Sequence, residues 1–92
     1  MIRALIVEDQ AILRESLARS VGDQPDMTVV AAIADASDAL DVVLKERPDM
    51  ILMDVCTEND ESGIDATAAI KQSHPQIKVI IVTSAPEVTF LE

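Results

Sequence analysis

Met50-Ile51-Leu52-Met53-Asp54 decides how the rest of this 92-residue chain is read. The run is apolar up to its last residue, and it is bounded by Pro48 on one side and the polar segment Thr57 to Ser62 on the other. Such a stretch reads as a strand buried on both faces, as in a parallel sheet covered by helices. It ends in an acid. A carboxylate at the carboxyl end of a central parallel strand lies in the crevice where open α/β sheets bind ligands, so Asp54 is the reference point for the other polar residues.

Toward the amino terminus, Ile2 to Val7 is aliphatic apart from Arg3 and reads as a first buried strand, followed at once by Glu8-Asp9. From Gln10 to Val21, the residues Leu13, Leu17 and Val21 recur at helical spacing, and Gly22 stands where a helix stops. Met27 to Ile33 is a second strand. Ser37 is the expected N-cap of a helix with Ala36, Leu40, Val43 and Leu44 on one face, ended by Arg47-Pro48 because the residue before proline disfavours helix. Beyond Asp54, Ile64 to Ser73 reads as a helix with Ala66 and Ile70 inward, and Ile77 to Val82 as a fourth strand leading to Thr83. Ser84-Ala85-Pro86-Glu87 has the spacing of a capping box and opens a last, short helix. The expected fold is therefore α/β, a flavodoxin-like doubly wound parallel sheet of order 2-1-3-4 in one domain, residues 1–92, with right-handed crossovers.

Composition narrows the functions. With 49% hydrophobic residues but Phe90 as the only aromatic, the core is aliphatic. A formal charge of −10 repels phosphate backbones, and the absence of Trp and Tyr removes base-stacking platforms, so direct nucleic-acid binding by this chain is not expected. A single cysteine, Cys56, cannot form an internal disulfide and suits a reducing compartment. There is no signal-peptide pattern after Met1 and no run of membrane-spanning length. The expectation is a soluble cytoplasmic domain with no membrane partner.

In the order 2-1-3-4 the ends of the first and third strands are neighbours, so Glu8, Asp9 and Asp54 converge. Carboxylates so placed repel one another unless a cation sits among them, and magnesium, which keeps waters in its shell, needs only one or two of them. Asp54 is then a candidate nucleophile toward a phosphoryl group, with Thr83 as hydrogen-bond donor at the end of the next strand. Taken singly these residues have plainer roles: Asp9, for example, could simply cap the helix that begins near Gln10.

At this point the chain resembles the receiver domain of bacterial two-component response regulators, most closely those of the NarL/LuxR type. The matching residues are Leu5-Ile6-Val7-Glu8-Asp9-Gln10, Ile51-Leu52-Met53-Asp54-Val55, Ser62-Gly63-Ile64-Asp65-Ala66-Thr67 and Val79-Ile80-Ile81-Val82-Thr83-Ser84-Ala85. The resemblance implies that Asp54 accepts a phosphoryl group from a sensor histidine kinase. It implies that Glu8, Asp9, Asp54 and the backbone carbonyl of Cys56 hold Mg2+, and that Thr83 supplies the switch hydroxyl. Transcription would be controlled through a DNA-binding output domain that this chain lacks, and beyond self-phosphorylation no enzymatic activity is implied.

Two departures stand out. The loop from Cys56 to Gly63 carries Glu58, Asp60 and Glu61 and is one residue longer than the family pattern. The fifth strand, its lysine and the fifth helix have no counterpart before Glu92. Lys78, at the start of the fourth strand, lies about 16 Å from the Thr83 end and cannot stand in for that lysine. A fourth strand left as an exposed apolar edge invites pairing, so a homo-oligomer through that edge or through the terminal helix is expected. The competing reading is a phosphorylation-independent, truncated or pseudo-receiver that acts as a protein-interaction module. A phosphohydrolase would place a second acid two residues after the nucleophile, where this chain has Cys56. A flavin site would need a phosphate-cradling loop after the first strand, which is absent.

Overall fold

The computed structural model describes residues 1–55 and 61–83, and of Val55, Glu61, Ser62 and Thr83 it describes the backbone. The elements follow in the order β1 (Ile2–Val7), α1 (Ala11–Gly22), β2 (Met27–Ile33), a 3-10 turn (Ala36–Asp38), α2 (Ala39–Glu46), β3 (Met50–Val55), α3 (Glu61–Ser73) and β4 (Lys78–Thr83). Cys56, the loop residues 57–60 and the segment from Ser84 onward lie outside the described residues.

All strand pairs are parallel and the sheet order is β2-β1-β3-β4, as the apolar runs and their acidic ends implied. Side chains alternate between the two faces of a strand. On one face Leu5, Val7, Ile51, Met53, Val79 and Ile81 pack with Ala39 and Val43 of α2 and Ile70 of α3. Ala4 and Ile6, fully buried but outside that cluster, point to the opposite face, where α1 lies across β1 and β2. Each fully buried Leu, Ile or Met side chain contributes about 1.5–3 kcal/mol, so the aliphatic rows of β1 and β3 hold the sheet together.

Among the element ends that differ from expectation, those at Gly22 and Ser37 have a physical reason in the structure. Gly22 does not leave the helix: no glycine among the described residues has a positive φ, and beyond it the Asp23 N–H donates to the Arg19 carbonyl and the Gln24 N–H to the Val21 carbonyl. Ser37 is not the N-cap of α2. Asp35 caps the preceding 3-10 turn instead, its carboxylate accepting from the Ser37 N–H at 2.9 Å and the Ser37 hydroxyl at 2.8 Å. The carboxylate, two residues upstream and ionised, is the stronger acceptor and turns Ser37 into a donor. The N-cap position of α1 is Gln10, which makes no side-chain bond there.

The end of the sheet away from Asp54 is tied by backbone and by Arg3. Asp49 donates its N–H to the Arg3 carbonyl and accepts, through Oδ2, from the Arg3 N–H at 2.8 Å. The Arg3 guanidinium donates to the Glu46 carbonyl at 2.7 Å, closing the end of α2 onto β1. Arg47 then reverses the chain into β3 with φ at 50°, in the left-handed region, between the helix end and Pro48. Lys71 reaches over to the Ile77 carbonyl at 2.8 Å, and His74 shares a 2.9 Å bond between Nδ1 and the Ser73 hydroxyl. Both belong to this structural end of the molecule.

Candidate functional site

The site is built where β1 and β3 end side by side. Ile6 is in register with Leu52 and Val7 with Met53, so Glu8 and Asp54 leave their strands at the same level. The Glu8 N–H continues the sheet by donating to the Ile33 carbonyl at 2.9 Å, which carries the residue inward rather than into solvent. Glu8 is only 1% exposed and is the one buried charged side chain among the described residues. Asp9, next in the chain, is exposed, and Asp54 is half-buried.

No hydrogen-bond donor reaches either carboxylate oxygen of Glu8 or Oδ1 of Asp54, although all three atoms are out of contact with water. A buried carboxylate without a donor is costly in its ionised form. Accordingly the Glu8 carboxyl is pushed up to about 7, first by burial, then by Asp54, which accepts a hydrogen bond from the protonated form and repels the ionised one, and last by the charge of Asp9. The backbone amide of Gln10 opposes the shift but lies short of bonding geometry. Glu8 and Asp54 thus confront each other with unsatisfied oxygens, an arrangement that calls for a proton or a cation between them.

Among the described residues no group of three His, Cys, Asp or Glu side chains is already gathered around one point as a metal cage. Magnesium does not need one, because it is held by one or two carboxylates and keeps several waters. The orphaned oxygens of Glu8 and Asp54 therefore fit a hard, hydrated divalent cation. Asp9 is adjacent through the chain, whereas the carbonyl of Cys56 falls outside the described residues.

Thr83 ends β4 in register with Val55, one residue beyond the Asp54–Val82 pair, so its backbone stands at the same rim as the acids. The sheet brings together Glu8, Asp54 and the Thr83 backbone. Sequence reasoning missed a basic residue at this rim. Arg14, half-buried on the second turn of α1, donates from Nη1 to the Glu8 carbonyl at 3.0 Å. The available signal was its position as the first cation after the Glu8-Asp9 pair.

Comparison with known proteins agrees with this geometry. Residues 4–91 match the family model described as the response regulator receiver domain. The chain belongs to that family. It is 33% identical over 90 residues to the oxygen regulatory protein NreC of Staphylococcus haemolyticus, covering 98% of this chain and 42% of that one. The corresponding protein of Staphylococcus epidermidis is 34% identical over the same length. Among solved structures, the response regulator domain of Thermotoga maritima CheB superposes with a TM-score of 0.80 at 38% identity, covering 95% of this chain and 63% of that one. A LuxR-family DNA-binding response regulator from Staphylococcus aureus gives a TM-score of 0.81 at 26% identity, covering 95% and 72%. The chain thus spans less than half the length of the curated relatives it matches and corresponds to their receiver part. No helix among the described residues is long and apolar enough to cross a membrane.

Proposed function

We propose that this chain is the phosphoacceptor receiver domain, residues 1–92, of a longer NarL/LuxR-type response regulator, working in the cytoplasm. The observation that carries the proposal is the buried, donorless Glu8 carboxylate set against Asp54 at the carboxyl end of the central strands. In this reading a carboxylate oxygen of Asp54 attacks the phosphorus of a phosphohistidine on a sensor kinase. The new O–P bond forms as the N–P bond breaks, and the electron pair leaves on the imidazole nitrogen. Glu8, Asp9, Asp54 and the Cys56 carbonyl would hold Mg2+, which when bound neutralises the charge on the transferring oxygens.

The remaining roles belong to this chain's own groups. Asp54 lies near the end of a strand paired on both sides, its backbone in register with Val82 of β4. Glu8 is fixed from below by its bond to Ile33. The Thr83 hydroxyl would turn toward the phosphoryl group and pass the change to the segment that follows, biasing a DNA-binding output domain outside this chain. β4 stands at the edge of the described sheet with Ile80 38% exposed, which supports association of two copies there. Light scattering at high concentration that finds only monomer would remove that part of the reading.

The reading as a whole is tested by incubating the chain with Mg2+ and a small-molecule phosphodonor and measuring intact mass. Wild type should gain one phosphoryl group and Asp54→Asn none. Equal gain in both, or no gain in a chain that binds Mg2+, would overturn the assignment of Asp54.

A further inference from the structure

We propose that Arg14 is a positioning residue that locks the Glu8–Asp9 peptide in the orientation from which both carboxylates address one divalent cation. The inference rests on the functional reading above and goes beyond it to a residue on a different element. In an extended chain, successive side chains point in opposite directions, so Glu8 and Asp9 left on the line of β1 would diverge. The chain bends at Asp9 and Gln10 before α1 begins, and something must hold that bend. The β1 ladder ends at Val7, paired with Ile33 on one side and Met53 on the other. Beyond it the Glu8 N–H still goes to Ile33, while the Glu8 carbonyl is bonded by Arg14 Nη1 at 3.0 Å. Arg14 itself is anchored by its own N–H to the Gln10 carbonyl at 2.8 Å. The peptide that joins the two acids is therefore clamped at its carbonyl by α1, and the preceding Val7–Glu8 peptide is held at its N–H by β2.

Charge alone works against this role. A guanidinium beside a cation site repels the cation, so if Arg14 acted only through its charge, removing it would tighten Mg2+ binding. If it acts by holding the peptide, removing it must weaken binding, since loss of a group that orients metal ligands typically costs about 10-fold or more in affinity. The sign of the change separates the two.

The experiment is calorimetric titration of the full chain with MgCl2 for wild type, Arg14→Met, Arg14→Lys and Arg19→Met, the last an exposed arginine of the same helix. It is accompanied by the amide nitrogen shift of Asp9 in metal-free protein, which reports directly on a bond to the preceding carbonyl. Arg14→Met should bind Mg2+ about 10-fold more weakly, with Arg14→Lys in between and Arg19→Met like wild type. The Asp9 nitrogen should move in Arg14→Met and stay in Arg19→Met. Mg2+ affinity unchanged or tighter in Arg14→Met, or an Asp9 nitrogen that does not move, would overturn the proposal. Arg14→Gln gives the same reading should the methionine variant fail to fold. A wild type that binds no Mg2+ would overturn the functional reading together with this one, and that case is recognised by the wild-type titration alone.

Discussion

Replacing Glu8 with glutamine should make the chain harder to unfold at alkaline pH when divalent cations are absent. The Glu8 carboxyl has its ordinary value of 4.5 when unfolded and sits at about 7 in the fold, mainly because it is buried and secondarily because Asp54 and Asp9 repel its charge. A folded value above the unfolded one means that folding favours the protonated form. Its stabilising contribution is complete below pH 4.5 and is lost as the pH rises through 7. The difference between 4.5 and 7, at about 1.36 kcal/mol per pH unit, amounts to about 3 kcal/mol, of which roughly 2 kcal/mol disappears between pH 5 and pH 8. That is a large share of the stability of a small domain, which is typically about 5–15 kcal/mol in total. Urea unfolding at pH 5 and pH 8 in the presence of a chelator measures it, followed by far-ultraviolet circular dichroism because the chain has no Trp or Tyr. The wild type should lose about 2 kcal/mol more than Glu8→Gln over that interval. The repulsion among the remaining carboxylates is shared by both proteins and cancels, as does any fixed cost of burying the amide. Equal pH dependence in the two proteins would refute the idea that Glu8 is buried as an unpaired acid.

The other expectations rest on single features. Ile51→Ala empties a fully buried position on the central strand and should cost about 3 kcal/mol, read as a lower urea midpoint at pH 5. Arg47→Gly removes a side chain from a residue held at φ 50°, where only glycine is unstrained, and should raise stability by about 1 kcal/mol in the same assay. A destabilised Arg47→Gly would show that the arginine side chain contributes more than its backbone strain costs.

The strands and their order were legible because buried parallel strands leave uninterrupted apolar runs, and four such runs alternating with helical spacing admit few topologies. Met50 to Asp54 carried most of that information, and the structure extends it by a single residue to Val55. Helix ends were less legible. Asp35 and Ser37 are both good cap residues two positions apart, and the choice between them depends on how the chain leaves β2 rather than on residue type. Gly22 suggested a left-handed stop, yet without a positive φ it serves only as the last residue of α1. In the site, the convergence of Glu8 and Asp54 followed from strand order. That Glu8 rather than Asp9 is the buried member of the pair did not, because the two acids are chemically alike and the sheet alone distinguishes them. Arg14 was invisible for a similar reason, since its role lies in a bond to a backbone carbonyl, which no residue pattern records.

The central claim is that the rim holding Glu8 and Asp54 makes Asp54 the one carboxylate that accepts a phosphoryl group. An acyl phosphate is reduced by borohydride to the alcohol, which turns a phosphorylated aspartate into homoserine and marks its position in the chain. The decisive measurement is peptide mapping after treatment with phosphodonor and borohydride, with Mg2+ and with chelator. Homoserine at position 54 alone, and only with Mg2+, is the predicted result. Homoserine at another carboxylate, or at position 54 regardless of the cation, would contradict the account.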